Sequence, residues 1–375
     1  MKIKIEQRVL LQALWRAQGI IDKKSSLNVL AHLLIETVGN DAIRISCTDY
    51  DVGLIATYQA EILEPGKMTL NGKHSFDVIK SLPNEQVTLE LQDNHWSKVE
   101  CARSSFKLAG IPADDFPEQQ EPDVTDGFEV DKSTLLRLID RTIFSVSSDE
   151  SRMTLNGVYF RAEQSEEPGS MRLTMVSTDG HRLSKVTTDV MTPTTLAEPV
   201  DAIVHRKGIH ELKRILESDE VGVHVSTQGN NIIFSYGNAV MLIRQIEDSF
   251  PEYEKVIPKN SKISVEIDKL EFLENVRRTA TLTSSKLLVV RFALERDKVV
   301  LSTNNPEQGE AHVEMDVDYD GDSVAVGFNH RYLQDVLQVI SGPQVTCKIN
   351  DEFSPGVIES EEDPGATFVI MPMRL

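Results

Sequence analysis

No stretch of this sequence approaches the roughly 18–20 consecutive apolar residues that a membrane-crossing helix needs. The start, MKIKIEQRVLLQ, is charged throughout and lacks the apolar h-region and small-residue cleavage site of a secretory signal. A cytoplasmic protein with no membrane partner is therefore expected. Cysteine is scarce: Cys47, Cys101 and Cys347 are an odd number at wide spacing. That argues against a disulfide framework and a zinc site and predicts buried reduced thiols. No glycine-rich phosphate loop occurs. Positive charge is also short, with a formal net charge of −20. A basic surplus is the usual mark of a nucleic-acid binder, but a sum does not say where the 39 lysines and arginines sit.

What is present is an ordinary globular composition, 40% hydrophobic and 26% charged over 375 residues, enough for two or three domains with cores of their own. The chain also repeats itself. The segments EQRVLLQALWRAQGII, DKSTLLRLIDRTIFSV and DKLEFLENVRRTATLT share a polar start and apolar residues three and four apart, as amphipathic helices do. Setting Leu11, Leu136 and Leu273 in register also aligns Arg16, Arg141 and Arg278. Further along, SCTDYD, VSTDGH and LSTNNP align Thr48, Thr178 and Thr303, and a helix-then-strand landmark aligns Val87, Val221 and Val345. DDFPE recurs as DSFPE, around Phe116-Pro117 and Phe250-Pro251. The landmarks keep their order and return after about 125 residues, far longer than the roughly 20–50 residues of a solenoid repeat.

Each repeat reads as strand, helix, several alternating strands, helix and more strands. MKIKIEQ, GFEVDK and KISVEIDK open the three copies, and AIRISCTDY, VGLIATYQAEI, KVVLSTN and AHVEMDVDY alternate as half-buried antiparallel strands do. The expected fold class is α+β, with two helices and about eight strands per copy, in three tandem domains at 1–122, 128–254 and 260–375. The connecting stretches, Gln119–Gly127 with Pro122 and Pro258–Ser261, carry turn formers and no apolar period.

Basic residues concentrate on the helices. The first helices carry Arg8 and Arg16, Arg137 and Arg141, then Arg277 and Arg278. The second helices open with Lys73, with Arg206-Lys207 and with His330-Arg331. Acid collects elsewhere, in EPDVTDG, ESDE, DVDYDGD and ESEEDPG. One charged helix face is usually only solvated. Recurrence in three copies predicts instead a basic lining that touches DNA phosphates without reading sequence, with the column Arg16, Arg141 and Arg278 facing the DNA.

Over its whole length the chain resembles the bacterial DNA polymerase III beta subunit, the sliding clamps. The resemblance is carried by Thr178-Asp179-Gly180-His181-Arg182-Leu183, Phe250-Pro251, Asn304-Asn305-Pro306-Glu307-Gln308, Gly327-Phe328-Asn329 and the terminal Met371-Pro372-Met373-Arg374-Leu375. It implies a DNA clamp fold in which three domains form a crescent. Two chains then close head to tail into a ring around double-stranded DNA, as a homodimer without catalytic residues, cofactor or metal. It implies DNA contacts at Lys24, Lys73, Arg152, Arg206 and Lys207, and a dimer interface at Phe106 and Leu108 against Thr281 and Leu282. It further implies a peptide pocket lined by Leu155, Thr178, Gly180, His181, Arg182, Leu183, Pro251, Val256, Val369, Ile370, Met371, Pro372, Met373, Arg374 and Leu375. The partners of that pocket would be the replicative DNA polymerase alpha subunit, the clamp loader, translesion polymerases, and mismatch repair and ligase proteins, in a nucleoid-associated cytoplasmic setting. One departure stands out: relatives can carry aromatic residues just before Leu155, where this chain has Met153 and Thr154.

Two rival readings are weaker. An enzyme could be built on Asp179-Gly180-His181, but His181 has no acid or nucleophile partner at useful spacing. The acids Asp316, Asp318, Asp320 and Asp322 fit a calcium loop at Gly321, yet its twelfth position is Gly327 rather than glutamate. Val317 and Tyr319 alternate with these acids as strand residues do. A protein scaffold that ignores DNA would leave the repeated basic helices unexplained.

Overall fold

The computed structural model describes residues 1–21, 28–119, 122, 124, 126–194, 196, 198–218, 222–284 and 288–375. The first repeat runs β1 (Lys2–Glu6), α1 (Gln7–Ala17), β2 (His32–Val38), β3 (Ala42–Thr48), β4 (Val52–Gln59), β5 (Glu61–Glu64), β6 (Lys67–Asn71), α2 (Gly72–Ser81), β7 (Gln86–Leu91), β8 (Trp96–Cys101) and β9 (Ser104–Ala109). The second runs β10 (Phe128–Val130), α3 (Lys132–Thr142), β11 (Gly157–Gln164), β12 (Ser170–Thr178), β13 (Arg182–Met191), β14 (Val200–His205), α4 (Arg206–Ser218), β15 (Val223–Gln228), β16 (Asn231–Tyr236) and β17 (Ala239–Arg244). The third runs β18 (Ile263–Asp268), α5 (Lys269–Ala280), β19 (Val289–Glu295), β20 (Lys298–Asn305), β21 (Gly309–Asp316), β22 (Val324–Asn329), α6 (His330–Val339), β23 (Gln344–Ile349), β24 (Gly356–Glu359) and β25 (Ala366–Ile370). The three copies share one order, and β5 is an addition to the first.

Local chemistry explains the elements. In α1, Leu10, Ala13, Leu14 and Ala17 are buried at the spacing of one helical face. Asn71, Asp268 and Asn329 cap α2, α5 and α6 by accepting from the N–H groups of His74, Glu271 and Arg331, which satisfies donors that a helix start leaves unpaired. Among the described residues no helix is long and apolar enough to cross a membrane. The three cysteines are free and buried, and burial pushes the Cys47 and Cys347 thiols up to about 12.

The chain packs as two compact units that do not follow the repeats one for one: residues 1–133 with 207–245, and residues 134–206 with 246–375. In the first unit, one sheet is ordered β5-β1-β7-β8-β9 and the other β10-β15-β16-β17-β4-β3-β2-β6. In the second, the orders are β14-β11-β12-β13-β25-β24-β23-β18 and β21-β20-β19-β22. Both eight-stranded sheets are shared between consecutive repeats. β17 pairs antiparallel with β4, from Ala239 opposite Ala56 to Ile243 opposite Val52. β13 pairs with β25 in the equivalent way, from Arg182 opposite Ile370 to Val186 opposite Ala366. The second repeat is thus split, one half completing a sheet of the first repeat and the other a sheet of the third.

Each shared sheet is stapled by an arginine of the aligned column, which corrects the expectation that Arg16 and Arg141 face DNA. Arg16 is buried, and its Nη1 donates to Tyr58 Oη at 3.1 Å and to Asn238 Oδ1 at 2.9 Å, in the turn between β16 and β17. Arg141 donates from Nε to Asp363 Oδ2 at 2.7 Å, in the turn between β24 and β25, and from Nη2 to Ser341 Oγ at 2.7 Å. Arg137, one helical turn earlier, donates to Asp363 Oδ1 at 2.7 Å. Helical spacing brings Arg137 and Arg141 to one face, but that face meets a buried carboxylate rather than solvent. Arg278 alone in the column is exposed, paired to Glu274.

A second correction concerns the acidic run after β21. The strand stops at Asp316, and residues 317–323 have no strand pairing. Their backbone turns back on Asp297, whose N–H donates to Tyr319 O and whose C=O accepts from Val317.

Five non-glycine residues among those described take a positive φ, Tyr50, Asn94, His95, Ala102 and Asp297. Tyr50, in the turn between β3 and β4, sits at φ 77°, where the equivalent turn of the second repeat has Gly180 at φ 88°. The two turns are otherwise built alike: Thr48 and Thr178 accept from the residue two positions on, and Asp49 and Asp179 accept from the next two N–H groups. A left-handed conformation costs an ordinary residue ~1–2 kcal/mol, partly offset by the ~0.4–1 kcal/mol of chain entropy that glycine loses. Tyr50→Gly is therefore expected to stabilise the protein by about 0.5–1 kcal/mol, read as a higher urea midpoint. An unchanged or lower midpoint would show that the tyrosine ring offsets its own strain.

Candidate functional site

The residues expected to line a peptide pocket gather where β13 meets β25, inside the second unit. The turn after β12 is fixed by its own side chains. Thr178 Oγ1 accepts from Gly180 N at 3.1 Å and donates to Arg182 O at 2.6 Å, while Asp179 Oδ1 accepts from His181 and Arg182 at 2.9 and 3.0 Å. Gly180 supplies the positive φ that this turn requires. The Met371 N–H donates to His181 O at 2.9 Å, so the chain end runs alongside the turn. Beyond it, Met373 donates to Gly327 O at 2.8 Å and bridges the edge of β22, and Leu375 lies over Gly327.

Beneath this frame lies an apolar cluster of Tyr159, Val176, Leu183, Ile203, Val357 and Val369, with Ile246, Phe250, Tyr253 and Ile257 packed against it. Phe250 stacks on Tyr159 with ring centroids 5.2 Å apart, which explains why the repeated Phe-Pro is placed here. Pro251 and Val256 are exposed above the cluster. Leu155 is half-buried in a short 3-10 turn and accepts, through its carbonyl, from Ser147. Leu183, Val369 and Ile370 are almost fully buried, so they form the floor. The surface itself consists of Gly180, His181, Pro251, Val256 and Met371 to Leu375, with Thr178 and Leu155 half-buried at its border.

Arg182 is neither floor nor free surface. Its guanidinium donates to Asp179 Oδ2 at 3.1 Å, to Asp335 Oδ2 at 2.5 Å and to Phe144 O at 2.5 Å. It also lies 4.4 Å from the Tyr332 ring centroid and 5.3 Å from that of Phe144. Arg182 therefore holds the turn against α6. Nothing in the sequence pointed to Asp335 or Tyr332, because the pairing spans about 150 residues of chain. Phe353, in the turn leading into β24, is the most exposed large apolar side chain among the described residues.

The residues proposed for DNA are distributed differently. Lys73 is exposed at the start of α2, Arg206 is half-exposed at the start of α4, and Arg152 is exposed with Asp149 3.5 Å away. Lys207 is tied to Asp49 and to Ile20 O. Lys24 lies outside the described residues. The interface residues Phe106 and Leu108 are half-buried on β9, the outermost strand of its sheet; Thr281 is exposed and Leu282 half-buried just after α5. Asn305 Nδ2 donates to Leu282 O at 3.0 Å and holds that segment.

The His181 imidazole is exposed and meets no carboxylate or hydroxyl among the described residues, and no group of three or more metal-ligating side chains gathers among them. Three copies of one α+β unit, with sheets that run from one copy into the next, define the architecture. Matches to known families agree. The DNA polymerase III beta subunit N-terminal domain matches residues 1–120, the central domain 129–252 and the C-terminal domain 254–374. The chain belongs to this family, the bacterial sliding clamps.

It is 34% identical over 377 residues to the beta sliding clamp of Caulobacter vibrioides and 31% identical over 378 residues to that of Escherichia coli, each over 100% of both chains. The crystal structure of the Caulobacter crescentus beta sliding clamp superposes over 100% of both chains with a TM-score of 0.93 at 34% identity. The DNA polymerase III subunit beta of Pseudomonas aeruginosa gives 0.92 at 32%, again over 100% of both chains. The protein is thus a non-catalytic processivity subunit of the replicative polymerase, an α+β clamp of three domains.

Proposed function

We propose that two copies of this chain join into a ring around duplex DNA, and that the groove beside β13 and β25 receives short peptides from replication and repair proteins. The junction pattern carries the ring. β4 and β13, third in the first sheet segment of repeats one and two, are closed by β17 and β25, the last strands of the following repeats. Continuing that pattern leaves β21 open at one end and β9 at the other, each the outermost strand of its sheet. Unpaired edges are ready templates for another chain. A head-to-tail contact of β21 with β9 of a second copy, made twice, satisfies both, with Phe106 and Leu108 meeting the Thr281-Leu282 segment. Closure rather than a filament requires the right rotation per chain.

Lys73 and Arg152, exposed, and Arg206, half-exposed, supply positive charge for phosphates, two of the three at helix starts where backbone N–H groups favour anions. Lys24 and Lys207 join them in this reading. The net charge of −20 then lies mostly away from DNA, which keeps the hold loose. The groove, with methionines at its border, suits varied peptides of the polymerase alpha subunit, the clamp loader, translesion polymerases, and mismatch repair and ligase proteins. Domain limits at 122/128 and 254/260, and a cytoplasmic, nucleoid-associated location, belong to the same proposal.

The test is retention on DNA. Loaded by its clamp loader onto nicked circular DNA, the protein is expected to survive a high-salt wash and to be lost once the circle is cut. Phosphate contacts alone weaken steeply with salt on either form. Equal loss from circular and linear DNA would overturn the ring.

A further inference from the structure

Both closed junctions join the first helix of one repeat to the last hairpin turn of the next: Arg16 to Asn238, and Arg137 with Arg141 to Asp363. Among the described residues no final hairpin turn is bonded to the third copy of that helix, α5. Its column residue Arg278 is held locally, with Nη2 2.8 Å from Glu274 Oε2 and Nη1 2.8 Å from Asn275 Oδ1. The one final hairpin turn left over is that between β8 and β9. Its closing pair, Cys101 opposite Ser104, corresponds to Tyr236 opposite Ala239, so Arg103 stands where Asn238 stands in the closed junction. An arginine at that place on the turn would repel Arg278.

One helical turn before the column the three helices carry Gln12, Arg137 and Glu274. In the second repeat the helix supplies a base and the turn an acid. At the open ends both signs are reversed: the helix supplies Glu274 and the turn supplies Arg103. Both are exposed, and Arg103 has no ion-pair partner among the described residues. We infer that Glu274 receives Arg103 of a second copy of this chain, so that the junction between copies is a charge-reversed form of the internal staple. This rests on the ring reading. The reversal also selects partners, because α5 against a β24–β25 turn would set Glu274 beside Asp363, acid against acid.

The test is the dimer dissociation constant of the full chain by sedimentation. Glu274→Arg and Arg103→Glu are each expected to weaken the dimer about tenfold or more. Both together in one chain return opposite charges to every junction and should restore the constant to within about threefold. Single variants without effect, or a double variant at least as weak as either single one, would overturn the pairing. Leu108→Asp, on the edge strand, separates this from the ring itself. If it dissociates the dimer while Glu274→Arg does nothing, the ion pair falls and the ring stands. If the unaltered chain is a monomer at micromolar concentration, both fall.

Discussion

Replacing Asp363 by alanine is expected to remove about 3–5 kcal/mol of stability, the usual cost of breaking a buried ion pair by deleting one partner. The carboxylate is buried, and it binds two guanidinium groups from α3 together with the Ser341 N–H at 2.9 Å. Its loss leaves two arginines facing each other over an empty place and releases the β24–β25 turn that completes the sheet under the groove. Burial alone would raise this carboxyl, but the Ser341 N–H and the two arginines outweigh it and hold it below its ordinary value. A carboxylate depressed in the folded state stabilises above its unfolded pKa, about 3.9, and that contribution is lost as pH falls through the folded value. The gap between the unaltered protein and Asp363→Ala should therefore be full near neutral pH and shrink in acid. Urea unfolding at several pH values measures it, and a gap below about 1 kcal/mol at pH 7 would show the staple to be dispensable.

Removing Met373 to Leu375 is expected to abolish stimulation of the polymerase while leaving the dimer intact. The three residues lie along the edge of β22 through the Met373–Gly327 bridge. Their loss bares that edge and takes away one wall of the groove without opening the floor, which Leu183 and Val369 close from below. Binding of a partner peptide and sedimentation of the shortened chain are the two readouts. Undiminished polymerase stimulation would mean that the groove lies elsewhere. A monomer would mean that the tail serves the interface as well.

The sequence was a good guide where the physics is local. The apolar spacing of α1, α3 and α5 shows in the residues themselves, as does the alternation of β3, β4 and β20, and the order of elements recurs as the repeat implies. It was a poor guide where the deciding partner is remote. Arg141 looks the same in a sequence whether its face meets water or Asp363, which lies 222 residues away. Of the column, Arg16 and Arg141 bind a junction between repeats rather than facing DNA, while Arg278 is exposed and held by its own helix. Nothing around Arg182 in the sequence announces its neighbours Asp335 and Tyr332, which are defined only by tertiary packing. The acidic run after β21 alternates like a strand, but no neighbouring strand is there to pair with it. Phe353 gave no signal, since an aromatic residue in a turn is as compatible with a core as with a surface.

The pairing of β17 with β4 and of β13 with β25 separates heredity from assembly. One repeat is what was copied, but a whole outer repeat bonded to part of the middle one is what packs together. A fragment cut at either connecting stretch would carry a half-sheet with its edge open to water and to other chains. The middle repeat alone would carry two. Any rearrangement of this chain that keeps both units whole must therefore keep residues 207–245 with the first repeat and residues 134–206 with the third.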